Sequence, residues 1–428
     1  LAPWILPYPG SYFKGNYKSW KRPPSGSSFA KQLLHINRNG GIIIKMCYYV
    51  HLCTYKEVSF MNSLLVLVFG SLVLTYFSER HIATISLNSR YRLDVPLTVM
   101  LIWICSFCGL RTAYNDTITY ISGFMNAASV EQILAGDINL LGNPLYYLFV
   151  SFFRHHISDN YHLFLLFIAF FNILSTVRFI RRRGYSITFS MLLFFTLGMY
   201  LSNFAAVKQS IAMAILTYAI DSLLDKKYAR FYLIIALAAL FHTYAIMYAV
   251  LPLFTNKPWT KITYLTIGAM LFVLFTFEST ITEFLEYADE LGKDISATEV
   301  FETASINVFR LAVFSIPVLL SFAFRGRLNR NMPPVMCLMM NMSILSFLIM
   351  CLGLNSAGNL FGRSAIYFEM GTIIVLPWII WKLFNKRSAT FITAVATACY
   401  FVFFLFDTQN FADSYRAVSF SQFLETLF

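Results

Sequence analysis

The stretch HLFLLFIAFFNILSTVRFIRRR, residues 162–183, indicates the fold class of this protein. Its first part is almost continuously apolar, and four arginines follow within its last six positions. About 20 consecutive apolar residues form a helix that crosses the ~30 Å hydrocarbon core of a bilayer. Lys and Arg gather in the cytoplasmic loops of membrane proteins. The stretch therefore predicts a transmembrane helix that ends on the cytoplasmic side.

The composition of the whole chain agrees with this prediction. Of its 428 residues, 58% are hydrophobic and 13% are charged, whereas soluble domains carry about 25% charged residues. A water-soluble globule is therefore excluded. Of the seven cysteines, Cys105 and Cys108 form the one CxxC pair, inside an apolar run, and the others are scattered singly. With neither a second pair nor a Cys/His cluster, the sequence predicts neither a disulfide framework nor a zinc module.

Similar apolar runs recur along the chain from Met61 onward. We expect an all-α, polytopic integral membrane protein with about 10–12 transmembrane helices and one or two broken or re-entrant segments. Two apolar blocks, 143–153 and 231–254, are short or interrupted by His242. The expected spans are 62–77, 95–109, 162–180, 186–204, 207–223, 262–277, 306–324, 335–354, 364–381 and 389–406.

Residues 1–60 differ from the rest of the chain. They carry eight Lys or Arg but a single acid, Glu57, and show no sustained helical or alternating period. This composition predicts a disordered or non-native N-terminal extension, with Met61 as the native start and Met46 as the second choice. A basic arm for nucleic acid or anionic lipid is the alternative. Residues 61–428 are expected to form a single transmembrane domain with external loops at 111–142 and 278–305.

The distribution of charge predicts the orientation of the loops. Basic clusters should face the cytoplasm, whereas the acidic stretch 278–302 belongs on the external side. Keeping every loop on its side requires irregular backbone near Asn143 and near His242. Non-helical backbone at membrane depth is tolerated where it is buried in protein or lines an aqueous cavity. The basic clusters are Arg80, Arg90 and Arg92; Arg178, Arg181, Arg182 and Arg183; Lys226, Lys227 and Arg230; Arg325, Arg327 and Arg330; and Lys382, Lys386 and Arg387.

Several polar side chains are predicted at or below the external surface. Ionisable groups inside a membrane are energetically expensive, so they indicate function. The structural alternatives are a snorkelling arginine, a helix cap at Asp116, an interfacial lysine and a satisfied core histidine. The candidates are Arg111, Asn115, Asp116 and Tyr120; Asn203, Lys208 and Gln209; His242; Arg363, Tyr367 and Glu369; and Arg310 at the start of another span.

A metal site is not predicted. His155 and His156 stand near Asp159, but adjacent histidines point apart on a helix and the sequence offers no second ligand pair, so a solvated loop is favoured. The sequence contains no glycine loop for phosphate, HExxH motif, nucleophile elbow or Asp-x-Asp motif, so soluble-type nucleotide chemistry is not predicted.

External cations, protonatable groups and a lipid-exposed entrance suit glycosyl transfer from a lipid-linked pyrophosphate sugar. Arg and Lys would stabilise the leaving pyrophosphate, and a His or a carboxylate would serve as base. A secondary transporter for an anionic substrate needs similar cations inside a broken-helix bundle. The residues alone leave both classes open.

Three sequence elements resemble the EpsG-like branch of the Wzy-type polysaccharide polymerases, a group that makes O-antigen, capsule or exopolysaccharide. They are VKQSIAMAILTYAIDSLLDKKYARFYLIIALAALFHTYAIMYAVLPLF at 207–254, the GLR…D…Y element at 109–120, and FGRSAIYF at 361–368. Two positions depart from the family pattern. Lys208 stands where the family commonly has Arg, and Asn143-Pro144 stands where an acidic residue before Gly or Pro is common.

The resemblance implies a polymerase on the external face of the bacterial cytoplasmic (inner) membrane that needs no metal or other cofactor. It would transfer a growing glycan from one polyprenyl pyrophosphate carrier to a repeat unit on another, with a flippase and a chain-length regulator as possible partners and no nucleic acid. A ligase, or a transporter or flippase, remains the alternative. Arg111, Lys208, Arg310 and Arg363 would hold the diphosphate, Gln209, Tyr120 and Tyr367 would contact the substrate, and His242 or Asp116 would act as base.

Overall fold

The computed structural model describes residues 61–80, 94–134, 142–276, 305–354, 357–409 and 415–426. Within these ranges the chain is helical apart from two short strands. The predicted extension 1–60 lies outside the described residues, as does nearly all of the expected acidic loop 278–305.

The helices are numbered here in chain order. A π-helix, Phe153–Ile157, follows α5, and a 3₁₀ helix, Thr243–Phe254, follows α10. The α-helices are α1 (Met61–Arg80), α2 (Val95–Gly109), α3 (Thr117–Met125), α4 (Val130–Leu134), α5 (Pro144–Phe152), α6 (Tyr161–Arg183), α7 (Ile187–Thr196), α8 (Met199–Ala205), α9 (Val207–Leu224), α10 (Tyr228–Phe241), α11 (Lys261–Phe275), α12 (Val308–Ala323), α13 (Arg325–Asn329), α14 (Pro334–Leu352), α15 (Gly358–Ile366), α16 (Met370–Leu383), α17 (Lys386–Thr408) and α18 (Phe420–Glu425).

Among the described residues, α1, α6, α9, α14 and α17 are long and apolar enough to cross a membrane. Two bent pairs, α7/α8 and α15/α16, each reach the required length as one broken span. Five shorter helical segments of 10–17 residues are also apolar: α2, α10, the 3₁₀ helix, α11 and α12. The predicted class, an all-α polytopic membrane protein, is confirmed.

The bends interrupt two of the spans that the sequence predicts. The α7/α8 pair bends by 46° and the α15/α16 pair by 62°. Gly198 sits in the first bend with φ +86°, in the left-handed region that glycine adopts without a Cβ clash. Each break removes helical hydrogen bonds and so leaves polar backbone groups for tertiary partners.

Side chains fix the beginnings of several helices. Asn160, Ser186, Asn307 and Asn385 each accept a hydrogen bond from a backbone N–H in the first turn of α6, α7, α12 and α17. Such caps satisfy amides that have no partner inside the helix. The polar residues between apolar runs therefore define where the helices begin.

The core contains two groups of packed helices. The first places α9 against α6 and α10, and the second places α14 against α15, α16 and α12. Gly371 allows α16 to approach α14 closely, because a Cβ there would overlap the carbonyl oxygen of Met339. Next to it, the hydroxyls of Ser343 and Thr372 are hydrogen-bonded at 2.7 Å. Small residues and buried hydroxyls commonly join membrane helices in this way.

A two-stranded antiparallel sheet returns the C-terminal segment to the residues after α2. Strand β1 (Arg111–Ala113) pairs with β2 (Arg416–Ala417). The hydroxyl of Tyr415 donates to the carbonyl of Phe107 at 2.8 Å. This sheet anchors the segment that precedes α3.

Candidate functional site

A cavity of about 100 Å³ lies where the two broken helix pairs meet the start of α9. Gly198 lines it from the first break, and Ile366 lines it from the end of α15. The sequence-predicted residues Gln209, Arg310 and Arg363 all contribute to its wall. The structure therefore brings together side chains from three separate parts of the chain at the broken helices.

Arg310 connects both breaks to α17. Its Nη1 donates to Oδ2 of Asp407 at 2.9 Å, and its Nη2 donates to the carbonyl of Leu197 at 3.3 Å. Nη2 also lies 3.9 Å from Oε1 of Glu369, at the α15/α16 break. Because Leu197 lies at the α7/α8 break, one buried guanidinium holds both interruptions in place.

Arg363 reaches the cavity from α15. Its Nη2 lies 3.8 Å from Oδ2 of Asp116, which is too long for a hydrogen bond. Gln209 donates from Nε2 to the backbone carbonyl of Arg363 at 2.7 Å and thereby ties α9 to α15. Since the guanidinium of Arg363 is 37% exposed and only loosely paired, it is well placed to bind an anion.

Asp116 stands at the N-terminal boundary of α3, but its side chain makes no capping hydrogen bond. The capping role considered for this residue is therefore not found. Burial raises the pKa of the Asp116 carboxyl, and Arg363 partly opposes this change. Asp116 is thus a partly desolvated acid that faces a cation.

The first turn of α9 adds backbone donors beside this pair. The phenol of Tyr120 lies next to the backbone N–H groups of Val207 and Lys208, and also near Asp116 and Arg363. Burial raises the pKa of Tyr120 to about 12, so its phenol stays protonated at neutral pH and can donate a hydrogen bond. A helix N-terminus favours negative charge because its first N–H groups point outward.

Lys208 is held by two tyrosines. Its Nζ donates to the hydroxyl of Tyr147 at 2.9 Å and lies 4.4 Å from the centre of that ring. The ring of Tyr146 is 4.9 Å from the same nitrogen and packs edge-to-face on Tyr120. Cation–π contacts keep the charge of Lys208 near Tyr120.

His242 lies at a break between α10 and the 3₁₀ helix, as the sequence predicts. Its Nδ1 is hydrogen-bonded to the hydroxyl of Tyr367 at 2.6 Å. The hydroxyl of Thr243 donates to the carbonyl of Gly142 at 2.6 Å, directly before Asn143. The two predicted irregular segments therefore contact one another, and Tyr367 links them to the end of α15.

Arg111 does not line the cavity and is almost fully buried. Its Nε donates to Thr117 at 3.0 Å, and its Nη atoms donate to the carbonyls of Cys108 and Asn203. The guanidinium also packs over the ring of Phe204. These contacts join α2, α3 and α8, so the structure gives Arg111 a packing role, while diphosphate binding by this residue stays a prediction.

Sequence reasoning missed Asp407, the closest acidic partner of Arg310. It also placed Glu369 in a cluster without identifying its contact with Arg310. The available signal was the presence of each acid in or beside an apolar span, where an ionisable group indicates a special role. The pairing itself could not be seen, because Arg310 and Asp407 are 97 positions apart.

The histidine pair lies at the end of the π-helix. The Nε2 of His155 is 3.1 Å from the carbonyl of Ala127. In the part of the chain that the structure describes, no group of three or more His, Cys, Asp and Glu side chains could hold a metal ion.

The chain matches the model of the EpsG family over residues 95–422, a range that includes every candidate side chain described above. Comparison with curated proteins and comparison with solved structures gave no match. The match confirms the resemblance seen in the Lys208–His242 region and in the Arg363 element. The chain therefore belongs to the EpsG family.

Proposed function

We propose that the protein is a membrane glycosyltransferase that polymerises polyprenyl-pyrophosphate-linked oligosaccharide repeat units into a surface polysaccharide. Family membership and the multi-pass helical fold support a polysaccharide polymerase of the membrane in general terms. The lipid-linked donor, the external face of the bacterial cytoplasmic membrane and metal-independent chemistry belong to the proposal.

The observation that carries the proposal is the placement of Arg310 and Arg363 around one cavity between two broken helix pairs. Guanidinium groups bind phosphate oxygens through parallel N–H donors. In the reaction, the acceptor hydroxyl attacks the anomeric carbon of the donor sugar. The bond from that carbon to the diphosphate oxygen breaks, and its electron pair leaves with the diphosphate.

Preorganised donors accelerate such a step when they face the developing negative charge. Arg310, Arg363 and Gln209 line the cavity, and the N-terminus of α9 adds backbone donors beside Tyr120. Lys208 adds a positive charge in the same first turn. We assign the leaving diphosphate to this group of donors.

The acceptor proton needs a base, and two candidates remain. When Nδ1 of His242 carries the proton and donates a hydrogen bond to the hydroxyl of Tyr367, Nε2 is the basic atom of the ring. The hydrogen bond to Tyr367 then fixes the orientation of the ring. Asp116 is the second candidate, since its partly exposed carboxylate faces the cavity residue Arg363.

The test uses purified protein in lipid nanodiscs with a defined polyprenyl-pyrophosphate oligosaccharide. Wild type should give a ladder of products that differ by one repeat unit. His242→Gln and Lys208→Gln should leave single repeat units. If His242 is the base, the rate of glycan transfer by His242→Gln should be at least ~10²-fold lower than that of wild type. Arg182→Gln is the matched control, because Arg182 bonds Asp221 near the C-terminus of α9, whereas the cavity borders the N-terminus of that helix.

Unchanged ladders from well-inserted His242→Gln and Lys208→Gln proteins would remove these residues from the site. Transfer of one glycan to a different acceptor, without a ladder, would assign a ligase. The two bent helix pairs are also a feature of secondary transporters. Movement of the sugar across the membrane without bond formation would therefore assign transport.

A further inference from the structure

Glu369 is a buried carboxyl next to the cavity that the proposed reaction does not use. Its side chain has no exposed surface, and neither oxygen accepts a hydrogen bond from the described residues. It stands at the break between α15 and α16, with Nη2 of Arg310 at 3.9 Å. A buried carboxylate without hydrogen-bond donors is energetically expensive.

The charges around Arg310 do not balance when every carboxyl is ionised. Its guanidinium, which stays protonated in proteins, faces both Glu369 and Asp407. Among the described residues, these two carboxylates and one guanidinium leave one surplus negative charge. Arg363, the other cation of the cavity, is paired with Asp116 instead.

The neighbouring helices offer no second cation for Glu369 among the described residues. Of their titratable side chains, Arg310 and Asp407 are the ones that act on Glu369 electrostatically. Helix α7 carries none. The full set on the other helices packed against α16 is Arg310 on α12; Arg325 and Arg327 on α13; Cys337 and Cys351 on α14; and Lys386, Arg387, Cys399, Tyr400 and Asp407 on α17.

An anion that binds Arg310 adds further negative charge to this set. Binding becomes favourable when one of the two carboxyls is neutral, because the guanidinium then has charge to offer to the ligand. Asp407 keeps a 2.9 Å hydrogen bond from Arg310 and is 21% exposed. Glu369 has neither a hydrogen bond nor solvent, so the proton is best placed on Glu369.

We infer that Glu369 is a proton-binding site, and that pyrophosphate entering the cavity brings one proton from solvent onto its carboxyl. The inference rests on the proposed function for the identity of the ligand. An O–H bond forms at Glu369, no electron is transferred, and departure of the diphosphate releases the proton. Glu369 is a positioning residue in this scheme, because it acts on the ligand through Arg310.

The test measures proton uptake when inorganic pyrophosphate binds to the full chain in nanodiscs of zwitterionic lipid. Titration calorimetry in buffers of different ionisation enthalpy gives the number of protons bound per ligand. At a pH at which Glu369 of the unliganded protein is ionised, wild type should take up about one proton more than Glu369→Gln. The affinity of wild type should weaken as pH rises, by up to about tenfold per unit, and that of Glu369→Gln should change less. Arg182→Gln should behave as wild type.

Two further measurements keep the inference testable if Glu369→Gln does not fold. Asp407→Asn removes the surplus charge at the other carboxyl, so it should also lower proton uptake. Infrared difference spectra of wild type should show the carbonyl stretch of a protonated carboxylic acid when pyrophosphate is added. Equal proton uptake in wild type and Glu369→Gln, or in wild type and Asp407→Asn, or no such band, would overturn the inference.

Other outcomes separate this inference from the proposed function. Binding that depends on Na⁺ without proton uptake would assign a metal cation to Glu369 and overturn the inference. Proton-linked pyrophosphate binding by a protein that makes no ladder would uphold it and reject the polymerase. A ladder from wild type without Glu369-dependent proton uptake would do the reverse. Absence of pyrophosphate binding would overturn both the assignment of pyrophosphate as the ligand and the coupling of its binding to proton uptake.

Discussion

The two ends of α9 use arginine in different ways. Near its C-terminus, Asp221 receives hydrogen bonds of 2.6–3.1 Å from Arg178, Arg182 and Arg183. Near its N-terminus, Gln209 borders a cavity lined by Arg363 and Arg310, which lie 3.8 Å from Asp116 and 3.9 Å from Glu369, respectively. The two ends are separated by roughly 20 Å along the helix.

The comparison distinguishes arginines whose hydrogen bonds hold two helices together from arginines that are placed to bind a ligand. At Asp221, one carboxylate is saturated by three guanidinium groups, so the α6–α9 contact is held by short charge-assisted hydrogen bonds. At the cavity, Asp116 and Glu369 stand at longer distances from their arginines, although Asp407 keeps a 2.9 Å hydrogen bond from Arg310. A ligand with several oxygens can replace the two loosely held acids. We call these two regions the Asp221 cluster and the cavity, and substitutions in each should have different effects.

The largest effect is expected for Arg310→Gln in the cavity. The substitution removes a donor to the leaving diphosphate and leaves Glu369 and Asp407 without their cation. Polymer formation per folded protein should fall by about 10²–10³-fold, as for loss of a single oxyanion donor. Gel analysis of the product ladder, normalised to inserted protein, measures this. A loss of less than threefold would place Arg310 outside the site.

The Asp221 cluster should respond in stability rather than in activity. Asp221→Asn leaves three arginines without their shared carboxylate and should lower the free energy of unfolding by about 2 kcal/mol. The loss is not larger because the arginines are partly exposed to solvent. Thermal unfolding in detergent measures the change, and Arg182→Gln, at a half-exposed partner, should cost less than about 1 kcal/mol. Lost polymerisation in a stable Asp221→Asn protein would erase the contrast between the two ends.

A smaller effect is expected for Arg363→Lys. Lysine keeps the charge but loses the planar fork that binds two oxygens at once, so pyrophosphate affinity should fall about tenfold, or 1.4 kcal/mol. Calorimetric titration with pyrophosphate measures it, with Arg363→Gln as the variant that lacks the charge. Equal affinity of Arg363→Lys and wild type would show that the fork is not used.

The smallest effect concerns Asp116 and pH. Because burial raises the pKa of this carboxyl, the folded state binds its proton more tightly than the unfolded state does. Wild-type stability from this group therefore increases as pH falls through the raised pKa and decreases as pH rises. Asp116→Asn should be slightly more stable than wild type at neutral pH, by less than about 1 kcal/mol because the side chain is one-third exposed.

That advantage should disappear once the pH falls below the ordinary pKa of aspartate, where both proteins are neutral at this position. Melting curves of wild type and Asp116→Asn across the acidic range measure the difference. A clear loss of stability in Asp116→Asn at neutral pH would show that the pair with Arg363 outweighs the burial of the carboxylate.

Several site features followed from the sequence through simple constraints. Counting membrane crossings against loop charge predicted irregular backbone at Asn143 and His242, and the structure brings those segments into contact. The positive-inside rule singled out Arg310 and Arg363 as cations on the unexpected side, and both line the cavity. The same rule singled out Arg111, whose described contacts are to the protein itself.

Other features could not be read from the sequence. The breaks at Gly198 and before Met370 lie inside the predicted spans 186–204 and 364–381, and the acid Glu369 next to the second break does not by itself predict a bend. They are held by a distant guanidinium, because Arg310 bonds the carbonyl of Leu197 and contacts Glu369. A local pattern carries no information about such a partner.

The sequence by itself determined that this chain is a helical membrane protein of the EpsG family, and it singled out the candidate cations. Hydrophobic burial is a sum over residues, so composition and the length of apolar runs are sufficient to predict it. The tertiary structure alone decided which arginines hold helices together through Asp221 and which line a cavity. Charge pairing depends on distances in space, as between Arg310 and Asp407, and these distances exist only after the helices have packed.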